Sequence, residues 1–435
     1  MDFIRFFGIV CGRMTNFVAW NESKEPMTRF NLDTAKTVLT SPYWLVLTLS
    51  GAFFSFFALN RGGIVVFIEI SFGFFLMNLI AGEYLVKKVP ATCWVILGIC
   101  AYLLLGSILV APQDSHYRWM ANLVRMLGIV FAIHCLSQKR IDPRIHFIFP
   151  FILSLTVCVQ FAARYGFSRP HGTFSNPHYL ASVAILILPL LFYYFWKTPG
   201  WWRYIFIPIA VMDIELLLRT ESRPAFIGII LGILFVIFFV IQGRRKWFGL
   251  TLIFFFLVML YLSGYADFKE RIYDLIVNLS KDERAQYYTF AWNVLKENTL
   301  LSWVFGNGIG YFPVIYVRPS DALVQNVIFP HFFLLEILYL NGISGVLLIF
   351  GGLSGFIAYL VYLAKNTRSN NYRLFIICMI VIFIGWLIHC GLTFPFYSKY
   401  SIYPLAFILG VSSSIVRNDT NVKGEHSTNG TNDCR

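Results

Sequence analysis

Apolar blocks recur along this chain, each long enough to cross a hydrocarbon core of about 30 Å as helix and each closed by a short charged or Pro/Gly break. They fall near 42–59, 62–86, 92–111, 119–138, 145–163, 178–196, 202–218, 223–242, 246–264, 332–363, 374–392 and 400–416. In lipid every backbone N–H and C=O must be paired within the protein, which leaves only helices and closed barrels as spanning structures. Runs such as LILPLLFYYFW and IGIILGILFVIFFVI lack the two-residue alternation of barrel strands. The expected fold is therefore all-α, a polytopic integral membrane bundle of about twelve transmembrane helices. Composition points the same way, with 58% of residues hydrophobic and 13% charged where soluble domains carry roughly 25%. A soluble enzyme, a nucleic-acid binder and a disulfide-stapled secreted domain are excluded.

The net charge of +13 resolves into two sets when it is sorted by side. Basic residues in short connections mark the cytoplasmic face. With the N-terminus inside, nineteen of them, from Arg5 and Arg13 to Arg373 and Arg417, lie on that face. Seven lie opposite: Arg61, Arg118, Arg164, Arg169, Arg219, Arg223 and Lys399. The expected threading has both termini in the cytoplasm. Residues 1–41 are read as a cytoplasmic or interfacial segment, because Phe3, Phe6, Phe7 and Val10 alternate with Arg5 and Arg13 over too short a run to span. The bundle then occupies 42–264, and three further spans occupy 332–416. A tail at 417–435, rich in Asn, Thr and Gly, is expected to be disordered and cytoplasmic.

Between 265 and 331 lies a long polar connection on the outward side. Phe268, Ile272, Leu275, Ile276 and Leu279 recur in it at helical spacing, as do Tyr287, Phe290, Ala291, Val294 and Leu295. Two amphipathic helices packed over the outer mouth of the bundle are expected. Loops of this length in a compact protein are usually functional.

The outward charges are nearly all arginine, whose planar fork of donors suits phosphate. Arg219-Thr-Glu-Ser-Arg223-Pro224 opens the eighth block, with Ser222 placed as an N-cap and Pro224 in the first helical turn. A cation there opposes the helix dipole, which an anion between Arg223 and the helix N–H groups would resolve. Neutralisation of either arginine by Glu221 is the other reading. Arg164 and Arg169, in the loop that carries His171 and His178, are placed to join the same anionic site. His171 and His178 also fit as hydrogen-bonding loop residues. Phe305-Gly-Asn-Gly-Ile-Gly310 follows no strand, so its glycines are read as a tight turn rather than a dinucleotide loop. His331 follows Pro330 at a helix start, where the dipole disfavours its cation and leaves a neutral imidazole suited to general base work; a capping role is the alternative. Glu69, Glu83, Arg125, Asp213, Glu215 and His389 fall inside apolar blocks, as functional groups or as structural pairs such as Arg125 with Glu69. The eight cysteines form no CxxC, and no outward loop carries an acidic pair for a divalent metal. No metal and no cofactor are expected.

Taken in order, these segments resemble the O-antigen ligase and polymerase superfamily of bacterial envelope-polysaccharide assembly. His171-Gly-Thr-Phe-Ser-Asn-Pro-His-Tyr-Leu-Ala181 is similar to that family's GTFxNPNxLA pattern, and Thr220-Glu-Ser-Arg223 to its TxSR at the start of a span. Arg284 with Trp292, then Gly306-Asn-Gly-Ile-Gly310-Tyr-Phe, and His331 leading to Gly342-Ile-Ser-Gly345, complete the set over roughly residues 164 to 363. Phe332 stands where the family often has Asn, and Asn307 interrupts the usual glycine spacing.

The resemblance implies a metal-independent, inverting glycosyltransferase at the periplasmic face of the bacterial inner membrane. Its donor would be a glycan on undecaprenyl pyrophosphate. Its acceptor would be lipid A–core in a ligase, or another lipid-linked glycan in a polymerase. His331 would take the acceptor proton. Arg223 and Arg219, with Arg164, Arg169 and Arg284, would meet the pyrophosphate, with Glu221 and His171 beside them. A ligase is favoured because no outward Arg is followed by ten residues and a Gly, a pattern associated with some polymerases. A flippase or other transporter of lipid-linked oligosaccharide is the reading from a different class. It would call for internal repeats and broken helices and gives the long loop no task.

Overall fold

A computed structural model describes residues 40–59, 63–86, 89–110, 117–138, 148–163, 172–174, 176–263, 283–309, 315–317, 324–326 and 332–428. Helices account for nearly all of it: α1 Pro42–Phe57, α2 Gly63–Ile80, α3 Ala91–Val110, α4 Tyr117–Ser137, α5 Ile148–Ala162, α6 Pro177–Lys197 and α7 Phe206–Arg219. After these come α8 Arg223–Phe239, α9 Arg245–Ser263, α10 Glu283–Lys296, α11 Leu300–Phe305, α12 Phe333–Asn366, α13 Asn370–Gly391 and α14 Lys399–Thr428. Every apolar block of the sequence contains one of them. Among the described residues five helices are long and apolar enough to cross a membrane: Ala91–Leu109, Trp119–Ser137, Pro177–Lys197, Phe333–Asn366 and Asn370–Gly391. Four more are apolar but shorter. The chain is a helical membrane protein.

Local sequence explains the helix limits. Asn176 caps α6 by accepting from the His178 N–H at 2.8 Å, and Pro177 supplies the first helical position without an N–H to satisfy. The block near 62–86 stops as helix at Ile80, because Gly82 takes a left-handed φ of 73°. The block near 202–218 divides into a 3-10 turn, Gly200–Ile205, and α7. α12 is broken at Gly342, which has φ 66° and ψ −171°. α14 continues as helix to Thr428, through positions where the sequence places the start of a disordered tail. In the long connection, α10 carries the second amphipathic pattern, while the first pattern and residues 1–39 lie outside the described residues. A short antiparallel ribbon, Ile315–Val317 against Val324–Asn326, also occurs there. Three-residue strands are too short to show an alternation in sequence.

α13 forms the axis of the core. A Cβ added at Gly228 would sit 2.8 Å from the Gly385 carbonyl oxygen, and one at Gly232 would sit 2.9 Å from that of Val381. Two backbones approach this closely only where side chains are missing, which is how small residues drive helix association in lipid. This contact fixes the start of α8 beside the end of α13. The Arg125–Glu69 pair, the structural alternative the sequence offers for these two residues, forms between α4 and α2 at 3.2 Å. The carboxylate side is largely exposed, so the pair is worth little to stability.

Candidate functional site

The C-terminal ends of α1, α3, α5, α7 and α13 meet the N-terminal ends of α6, α8 and α12 at one end of the bundle. The α7–α8 turn is its centre. Thr220 donates its hydroxyl to the Leu217 carbonyl at 2.7 Å, and Glu221 is left at φ 60°, the left-handed region that costs a non-glycine residue about 1–2 kcal/mol. The strained turn sets Ser222 at the N-cap and Arg223 and Pro224 in the first turn of α8. Arg223 and Glu221 are exposed. Arg219 pairs with Glu215 one turn back on α7, at 3.0 Å. Asp213, further along α7, is buried, and its Oδ2 has no hydrogen-bond partner among the described residues.

Ser222 occupies the N-cap position as the sequence suggests, yet its side chain makes no cap hydrogen bond. It turns inward instead. Its Oγ lies 3.0 Å from Nδ1 of His178 and 3.4 Å from Nδ1 of His389, near the end of α13. His389 is fully buried, and its Nε2 lies 3.0 Å from the His178 carbonyl oxygen. Phe394 stands edge-on to His389 and Tyr179 packs against Phe394, so the cluster has an aromatic wall.

The loop before α6 is clamped from below by buried Gln160 of α5. The amide Nε2 donates to the carbonyls of Phe57 and Ala58 at 2.7 and 3.1 Å and to Thr173 Oγ1 at 2.8 Å, while Oε1 accepts from the Thr173 N–H at 2.9 Å. One amide thus ties the end of α1 to the Gly172-Thr173 turn. Gln160→Ala strands several buried partners at once, for which a loss of about 1–3 kcal/mol is expected. A lower melting temperature of the detergent-solubilised protein measures it; an unchanged one removes the clamp.

α12 begins beside this cluster. Both carboxylate oxygens of buried Glu336 accept from the Phe396 N–H at 3.0 Å. The hydroxyl of Tyr397 donates to Asn341 Oδ1, and Asn122 of α4 donates to the Tyr397 carbonyl at 3.0 Å. Tyr397 lies in the α13–α14 connection, where burial pushes its phenol well above the usual range and keeps it a neutral donor. The break at Gly342 admits a second strand of backbone. The Asn307 N–H donates to the Tyr339 carbonyl at 3.0 Å and the Gly308 N–H to that of Leu340 at 2.9 Å. Ser344 donates to the Val304 carbonyl at 2.6 Å, and the Ile309 N–H to Ser107 Oγ of α3 at 3.1 Å. The glycine-rich turn of the long connection is therefore seated in the gap of the broken helix.

Of the residues nominated from sequence, the structure brings Arg219, Glu221 and Arg223 onto one turn. His331, His171, Arg164 and Arg169 lie outside the described residues, as does the side chain of Arg284, whose backbone belongs to α10. Their neighbours are informative. Among the described residues, Phe332 meets the ring of Tyr288 in α10, and Gly172 and Thr173 sit on Gln160. Sequence reading passed over Gln160, Glu336, Asn341 and Tyr397. Three of these are polar residues inside apolar helices, a signal that was present but had no partner in sight. An apolar cleft of about 550 Å³ runs between α3 and α12, lined by Val95, Ile99 and Leu103, by Gly351, Gly352 and Gly355, and by Phe396.

No protein-family model matches the chain, and no curated protein matches it. The class that the fold and site define is a helical membrane protein with a basic turn, a buried His389 beside a half-buried His178, and a loop seated in a broken helix, gathered at one end.

Proposed function

We propose that this protein is a glycosyltransferase of the O-antigen ligase type, with its site at the periplasmic face of the bacterial inner membrane. It moves a polysaccharide from undecaprenyl pyrophosphate to a lipid A–core acceptor by a single inverting displacement that needs no metal. The observation that carries this reading is the strained α7–α8 turn: a non-glycine left-handed residue is tolerated there, and its product is an exposed arginine on a helix N-terminus. Strain of this kind persists where the surroundings over-determine it, as at ligand clamps. Arg223 stabilises the charge that grows on the departing pyrophosphate, with Arg219 behind it. A histidine takes the proton of the attacking hydroxyl, a role the resemblance gives to His331. The apolar cleft beside α12 offers hydrocarbon-lined room for a lipid-linked substrate.

The test is incubation of purified protein with lipid-linked glycan and lipid A–core, without nucleotide. Glycan on lipid A–core supports the ligase. Longer lipid-linked chains make the protein a polymerase, and movement of the lipid-linked glycan across a bilayer without new bonds makes it a transporter.

A further inference from the structure

The chain from Asn298 to Ile309 can be placed in depth against the helices it touches. α3 serves as the ruler, because its apolar span, Ala91–Leu109, has the length of a hydrocarbon core of about 30 Å. The Ile309 N–H donates to Ser107, which lies about 3 Å inside the Leu109 end of that span at the helical rise per residue. Tyr102 lies about 10 Å inside the same end. Its hydroxyl meets that of Ser344, which donates in turn to the Val304 carbonyl at 2.6 Å. Asn307 joins Asn298 at 3.3 Å and holds the Tyr339 carbonyl, above the break in α12. The chain therefore leaves Asn298, descends through α11 to Val304, and climbs back through Gly306 and Gly308 to Ile309.

Backbone at that depth has to find its partners within the protein. Thr299 caps α11 by accepting from the Ser302 N–H at 3.2 Å, and the Gly306 N–H donates to the Ser302 carbonyl at 2.8 Å. The next three amides, of Asn307, Gly308 and Ile309, are taken by Tyr339, Leu340 and Ser107. The side chains suit the same setting. α11 has the sequence LLSWVF, with no charged residue, and none of its residues is buried. Leu300 and Leu301 are 83% and 69% exposed, and Val304 and Phe305 are open beside them. Ile343 and Leu347 are likewise open on α12, itself a helix of membrane-crossing length, just past the break. Exposed Lys296 and Glu297 come immediately before Asn298, on the shallow side of the descent. Trp292 of α10 stands edge-on to Trp303, a residue type at home where hydrocarbon meets headgroups.

We infer that residues 298–309 form a re-entrant element that dips into the leaflet at the site end, with the face of Leu300, Leu301, Val304 and Phe305 covered by phospholipid acyl chains. Part of a connection that its polar sequence places outside the membrane thus lies within it. In water that face would leave apolar surface uncovered at about 25 cal/mol per Å², whereas acyl chains continue the surface that α12 already meets. The glycine turn is then held from two sides, by the broken helix and by lipid. Nothing in this placement depends on glycosyl transfer.

Two measurements test it. Wild-type protein in bilayers of phosphatidylethanolamine and phosphatidylglycerol, photolabelled by a diazirine on the acyl chains, should carry label on Leu300–Phe305 and on Leu347 of α12, and little on Asn293–Glu297. Spin-labelled Leu301→Cys, in a chain carrying Cys11→Ala, Cys158→Ala and Cys434→Ala, should respond several-fold more strongly to oxygen than to a water-soluble nickel chelate. Lys296→Cys should show the reverse. An α11 without photolabel, or a Leu301→Cys probe that meets nickel as freely as Lys296→Cys, overturns the inference. A probe shielded from both reagents also overturns it, since another part of this chain or a second copy would then cover the face.

Discussion

Gly342→Ala is expected to be among the most damaging single changes to this fold. The residue sits at φ 66° and ψ −171°, a region that is essentially closed to side chains, and a Cβ there would meet the backbone of Val304. Gly306 is the reciprocal case, at φ 82°, where a Cβ would meet the Leu340 carbonyl. Backbone faces backbone on both sides, so neither clash can be relieved by turning a side chain. Each substitution should cost at least about 1–3 kcal/mol from backbone strain alone, with the steric term added. It should also unseat Asn307 and Gly308 from the broken helix. The control is Gly351→Ala, in the regular part of α12, where nothing lies within 4 Å of an added Cβ. There alanine should be neutral or up to about 1 kcal/mol stabilising, as expected for a helix interior. Thermal unfolding in detergent reads all three. Equal melting temperatures for Gly342→Ala and Gly351→Ala would mean the loop does not occupy the gap.

The second large effect is on rate rather than stability. Arg223→Ala should lower transfer by about 10²–10³, the usual loss when a preorganised charge-stabilising group is removed from a transition state. The side chain is exposed and Pro224 is indifferent to it, so the protein should still insert and fold. Arg223→Lys should recover only part of the rate, because an ammonium cannot offer two parallel donors to a phosphate. Arg219→Ala should fall less, since that guanidinium is already shared with Glu215. The split is read as kcat and KM for the lipid-linked donor, and a wild-type kcat for Arg223→Ala would remove the arginine from the mechanism.

Much of this arrangement could be read in advance, for physical reasons that differ by element. Apolar block length is dictated by hydrocarbon thickness, so the helices announced themselves, and their breaks fell where Gly, Pro and charge allowed. The Ser222–Arg223–Pro224 start was equally plain, because each residue suits a helix N-terminus or conflicts with one. What sequence could not show was where the Ser222 hydroxyl would point. That depends on His389, far along the chain, brought near by the Gly228–Gly385 backbone contact. Gln160, Glu336 and Asn341 were similarly opaque: a polar residue in an apolar helix signals a partner, but its identity is set by packing. The glycines of the Gly306 turn mark a tight turn in the sequence, but nothing there shows that the surface they meet is the break at Gly342.

The decisive measurement is the release of undecaprenyl pyrophosphate from a lipid-linked glycan by the purified protein, followed with lipid A–core present and divalent metal chelated. One lipid pyrophosphate freed for each glycan joined, lost in Arg223→Ala, is the expected result. Glycan transfer that stops when metal is removed, or no release of lipid pyrophosphate under any acceptor condition, would contradict it.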